Sequence, residues 1–189
     1  MVLVAAGLVA LGSTGCATVV SGVPDPAPVP AGATSQAADD PLHIDHPKNL
    51  KAFPDPCQLL SVEQLQQLKA AITGEPDQSE WGQPKCTWRN QQFSATVAPD
   101  TVQGDGLRWE SKIHGDEQGN PTAEVSGYPA VHGGTSDIRC STIVGVSDAD
   151  ALTVHFTTGS DGRGNPEYAA PCAMSDKITG LVLANLPPA

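Results

Sequence analysis

Aromatic residues make up only 4% of this 189-residue chain, and none precedes Phe53. No Lys or Arg precedes Lys48 either. A stretch without rings or cations, holding six of the 17 prolines between residues 24 and 47, has too little apolar surface to build a core. Basic residues are outnumbered by acidic ones, 10 against 21, and the resulting net charge of -11 repels phosphate backbones. Nucleic acid is therefore not an expected partner. No Gly-x-Ser-x-Gly occurs, which removes the usual α/β-hydrolase nucleophile. A phosphate-binding Gly-x-x-x-x-Gly-Lys is absent as well, and no Cys-x-x-Cys offers a redox-active dithiol.

What is present begins with an apolar run at residues 2–11, VLVAAGLVAL. At ~1.5 Å per helical residue it covers about half of a ~30 Å hydrocarbon core, the size of the apolar part of a secretory signal. Small residues follow and end in Gly15-Cys16, which resembles a bacterial lipobox, although Ser13 stands where Leu is usual. Cleavage before Cys16 and acylation of its thiol would attach the chain to a membrane. The missing basic residues ahead of the apolar run fit a natural translation start further upstream. Residues 1–15 are thus expected to be a lipoprotein signal peptide. Residues 16–52 are expected to be the lipidated cysteine and a disordered Pro/Ala-rich tether, extended at up to ~3.1 Å per residue. Asp39, Asp40, His43, Asp45 and His46 within it have metal-ligand chemistry, but a disordered spacer lacks the fixed geometry an ion needs. No metal or cofactor is expected.

Residues 53–189 form one domain of ordinary size. Ser61 and Gln64 fit a capping box, with Leu65, Leu68 and Ile72 as the stripe of a helix that Gly74 and Pro76 end. Residues 85–90 and 93–97 alternate and predict a hairpin across Asn90, Gln91 and Gln92. A poor helix and then a strand at residues 109–113 are expected in the next stretch. Residues 123–131 read as one strand interrupted by Gly127 and Pro129, marking a bulge or an edge. Residues 140–146 read as a strand covered on both faces, and Leu152, Val154 and Phe156 alternate with Thr153, His155 and Thr157. A final helix carries Ile178, Leu181, Val182 and Leu186 and stops at Pro187-Pro188. The expected fold class is α+β: an antiparallel sheet with a helix near each end of the domain, braced by two disulfides.

Four cysteines remain once Cys16 is set aside, an even number in an exported chain, and four allow three pairings. Cys57 and Cys172 each follow a proline at a helix start, whereas Cys86 and Cys140 sit in strands. Matching environments suggest Cys57–Cys172 and Cys86–Cys140.

Together the Gly15-Cys16 motif, the Pro-rich spacer, Cys57 before a short helix and Cys86-Thr-Trp88 resemble a family. So do Gly127-Tyr-Pro-Ala130, Cys140 and Pro171-Cys172. It is the actinobacterial lipoproteins of domain of unknown function 3558. The resemblance implies a cell-envelope lipoprotein with a disulfide-braced α+β domain and implies no reaction.

Candidate chemistry is sparse. His155 with Ser160 and Asp161 is the nearest thing to a catalytic group, but such neighbours are common in any turn, and His155 reads as a polar alternate on its strand. His114 and His132 read as surface residues. Trp88 shares the face of Cys86 and reads as core, while Trp81, in a polar loop, is the expected partner contact. The chain is expected to be a non-catalytic binding or interaction domain on the outer face of the cytoplasmic membrane. Its expected partners are the membrane, through the N-terminal lipid, and an envelope protein or ligand. The alternative is a lipid or small-molecule carrier with an apolar pocket between sheet and helices.

Overall fold

A computed structural model describes residues 40–80 and 82–189. Cys16, the signal segment and Trp81 lie outside the described residues. Seven antiparallel strands form one sheet in the order β1-β2-β3-β7-β6-β5-β4. They are β1 Glu75–Gln78, β2 Pro84–Arg89, β3 Phe93–Asp100, β4 Ala123–Val125, β5 Tyr128–Gly133, β6 Arg139–Gly145 and β7 Ala151–Thr158. The helices are α1 Val62–Gln67, α2 Arg108–His114 and α3 Pro171–Asn185, with short 3-10 turns that include Pro56–Gln58 and Pro166–Tyr168. This is the α+β class expected from the sequence.

Strand alternation sorts residues between the two faces. On one face Cys86, Trp88, Phe93, Ala95, Val97, Val144, Leu152, Val154 and Phe156 meet Met174, Ile178, Val182 and Leu183 of α3. Phe93, Phe156 and Tyr168 stack there with centroids 5.4–5.8 Å apart. This layer also carries a polar seam: Asp176 Oδ1 lies 2.8 Å from His132 Nε2 and accepts from Thr142 Oγ1 at 2.7 Å. His132 is therefore a bridge from β5 to α3, not a surface residue, because its even position shares the inward face of Ala130. Trp88 is core, as expected, with 1% of its surface exposed.

The capping box forms as predicted: Gln64 N donates to Ser61 Oγ, and Ser61 N donates to Gln64 Oε1. The helix ends earlier than Gly74, however. Lys69 takes φ +57, and the bonds Ala70 N to Leu65 O and Lys69 N to Gln66 O close a Schellman motif, which leaves Ile72 exposed. The hairpin across residues 90–92 is present, held by Asn90 Oδ1 accepting from Gln92 N and Phe93 N. Residues 109–113 belong to α2 and not to a strand, because Leu107 and Ser111 are buried at helical spacing. Residues 123–131 are two strands, not one. Ser126 and Gly127 both have positive φ and make the two-residue turn between β4 and β5. Residues 75–78 pair as an edge strand that no apolar pattern announced.

The disulfides correct the expected pairing. They are Cys57–Cys86 and Cys140–Cys172, with Cα atoms 5.1 and 4.9 Å apart. Cys57–Cys172 and Cys86–Cys140 are not formed. β2 and β6 are separated by β3 and β7, so Cys86 and Cys140 lie about 14 Å apart at ~4.8 Å per strand step, twice the span a disulfide bridges. Each helix start instead rests over one strand and bonds to the cysteine beneath it.

Residues 40–52, expected to be the last part of the tether, are packed on the domain. Ile44 and Leu50 are buried, Lys48 pairs with Pro188, and Ile44 N donates to Asp148 Oδ1 at 3.1 Å. Two aliphatic anchors and a bridge to the chain's end outweigh the local polar composition. His43 and Asp40 serve this strap: His43 Nδ1 is 3.3 Å from Asp148, and Asp40 accepts from Arg108 at 2.6 Å. His43 Nε2 also lies 3.8 Å from Asp45 Oδ1, so its two ring nitrogens face different carboxylates. Among the described residues, no helix is long and apolar enough to cross a membrane.

Candidate functional site

The second face of the sheet is only partly covered. At one end α2 and Leu42 cap it through Leu107, Val131, Ile143 and Ala151. Beside α2 the face is open, and a cleft of about 420 Å³ lies there. Such a volume is within the ~300–1,000 Å³ of small-molecule sites. Its floor comes from β3, β5, β6 and β7, and one wall is the Glu110 and His114 side of α2.

The floor is built by register. Antiparallel pairing places Thr87, Thr96, His155, Ser141 and Gly133 directly opposite one another on five successive strands. Thr87 and Thr96 hydroxyls are 2.8 Å apart, and Ser141 Oγ is 2.6 Å from His155 Nδ1. Gly133 ends the row because the His114 ring occupies the space a side chain would fill, with its Nε2 3.1 Å from an added Cβ. His114, expected at the surface, is instead part of the wall, 3.6 Å from Glu110. Adjacent positions add Thr153, Asp100 and Gln103.

Burial, and secondarily the Lys85 ammonium on β2, hold the His155 imidazole below its ordinary value of 6.5. Near neutral pH it is uncharged. Asp100 Oδ1 accepts from Gln83 Nε2 and from Val102 and Gln103 backbone amides at 3.0–3.2 Å, so this carboxylate is turned toward its own loop. The pair Ser141–His155 has the residue types of an activated nucleophile. Ser141, however, sits mid-strand with both neighbours in the ladder, so its backbone offers no oxyanion donors. Ser160 meets Asp161 at 3.0 Å and has no bond to His155.

His155 points outward from its strand, as expected. Its pairing with Ser141 was not anticipated, because it depends on which strand lies beside β7. Among the described residues, the His, Cys, Asp and Glu groups close enough to share an ion are His132, Cys140 and Cys172. The two sulfurs are bonded to each other, which leaves no thiolate to ligate a metal.

A family model described as protein of unknown function (DUF3558) matches residues 11–185. The chain belongs to that family. Comparison with curated proteins and with solved structures finds no match.

Proposed function

We propose that this DUF3558 member is a non-catalytic binding domain, displayed on the outer face of the cytoplasmic membrane by an acylated Cys16, which takes its ligand or partner on the open face of the sheet. The observation that carries the reading is the 420 Å³ cleft beside α2, where Ser141 and His155, paired across β6 and β7, lie with Thr153 against the Glu110 and His114 wall. Hydroxyls, an uncharged imidazole and a helix wall converge there on rigid strands, an arrangement suited to recognition. The space between sheet and α3 is filled by Phe93, Phe156 and Tyr168, which favours surface binding over an interior carrier cavity. Two disulfides suit an oxidising, extracytoplasmic compartment. The family match begins at residue 11, so it takes in Gly15-Cys16.

Photo-cross-linking in intact cells tests the site. A photoreactive residue at Gln103, on the cleft rim, should give a defined adduct that the same residue at Ala184 of α3 does not. Equal adducts at both positions, or none at Gln103, would refute the open face as the binding surface.

A further inference from the structure

Among the described residues, the large apolar side chains left exposed are Val62, Ile72, Val102, Trp109 and Ile113. Two of these, Trp109 and Ile113, belong to α2, and each is 55% exposed. At about 100° per residue, positions four apart share one stripe of a helix. Ser111, which α2 buries against the sheet, lies two residues from each, so this stripe points directly away from the sheet. Glu110 and His114 occupy one flank, at the cleft, and Arg108 and Lys112 the other. The helix therefore presents an apolar crest to solvent between two polar flanks.

The strap shows which way that crest is held. Arg108 donates to Asp40 at 2.6 Å, so the first described residue lies beside α2. Cys16 stands 24 positions before Asp40. At no more than ~3.6 Å per residue, that length spans at most roughly 85 Å. An anchor on Cys16 therefore pulls on the domain at the α2 side. A surface tethered there needs little affinity of its own, because the tether supplies the effective concentration. The crest's chemistry fits a bilayer: an indole ring favours the headgroup boundary, and a seven-residue helix about 10 Å long can lie along it. Charge does not drive the contact. Exposed Asp105, Asp116 and Glu117 at the ends of α2 offset Arg108 and Lys112, so the attraction is apolar and needs no anionic lipid.

We infer that the Trp109 and Ile113 crest of α2 rests in the headgroup boundary of the bilayer that carries the Cys16 lipid, an inference that rests on the anchor proposed above. The cleft, walled by the neighbouring flank of α2, then opens beside the membrane surface. The test uses full-length chain purified from the membrane fraction, its acylation read by intact mass, in phosphatidylcholine vesicles. A photoreactive residue replaces Ile113, or Ala184 of α3 on the other side of the sheet. Irradiation should give severalfold more phosphatidylcholine adduct at position 113 than at 184. Trp109→Ser, an exposed change that leaves the core intact, should lower the yield at position 113 severalfold. Trp109→Phe keeps a ring and should retain most of it. Equal yields at both positions, or a yield at 113 unmoved by Trp109→Ser, overturns the inference and leaves the anchor standing. A chain whose mass shows no acyl group removes the anchor, and the docking falls with it.

Discussion

Ser126 and Lys69 are the described non-glycine residues with positive φ, and each closes an element. A left-handed conformation costs an ordinary residue ~1–2 kcal/mol, and Asn less than most. Ser126→Asn keeps a short polar side chain in the β4–β5 turn and should raise stability by about 0.5 kcal/mol, read as a higher urea midpoint with unchanged slope. Gly74 has the opposite constraint. A methyl there would run into Cys86 Sγ and Trp88 Nε1, both fixed in the core, so Gly74→Ala should cost about 1–3 kcal/mol. His155 sets a pH dependence. Its folded value lies below 6.5, so the native state binds fewer protons than the unfolded chain. Its contribution is therefore intact above pH 6.5 and is lost as pH falls from there toward the folded value. His155→Gln should flatten the stability profile over that window while leaving it unchanged at higher pH. Equal slopes in both proteins would contradict a His155 value lowered in the folded state.

Elements were legible from sequence where local chemistry decides them, and misread where strand order does. The capping box at Ser61 and Gln64, the hairpin at Asn90, the alternation of β7 and the stripe of α3 are all written in spacing. The edge strand β1 carries no large apolar side chain, and α2 has only Ser111 buried, after Leu107 at its N-cap, so neither had a periodicity to find. The candidate site falls in the same class. His155 was visible as an outward alternate, but Ser141, Thr96 and Gly133 join it only through a register between strands distant in sequence. The disulfides show the cost of arguing without that order. Like environments do not pair, because helices lie over strands and each sulfur meets the one below it. Non-reducing peptide mapping should join Cys57 to Cys86 and Cys140 to Cys172. Cys140 and Cys172 are 32 residues apart, and replacing both by Ser should cost about 3–4 kcal/mol from the loop-closure relation.

The strap at residues 40–48 ties the start of the described chain to both the sheet and α2. The Arg108 guanidinium, and then the Leu42 amide, hold the Asp40 carboxyl below its ordinary 3.8. The stabilisation this gives is complete above pH 3.8 and fades as acid protonates the carboxylate, so the Leu42 and Ile44 amides should lose exchange protection before β3 and β7 do. The anchor proposed at Cys16 would act through this strap. A lipid on Cys16 would add ~0.8 kcal/mol of membrane affinity per buried CH₂, and more than one acyl chain would make attachment stable. The chain's net charge of -11 opposes attraction to an anionic bilayer. Cys16→Ala should therefore move the protein from the detergent-extracted membrane fraction to the soluble or secreted one. Its disulfide map and circular dichroism should stay unchanged, since Cys16 takes no part in either bridge. Full retention of the Cys16→Ala protein in the membrane fraction would remove the lipid from the account and require a protein partner to hold the domain there.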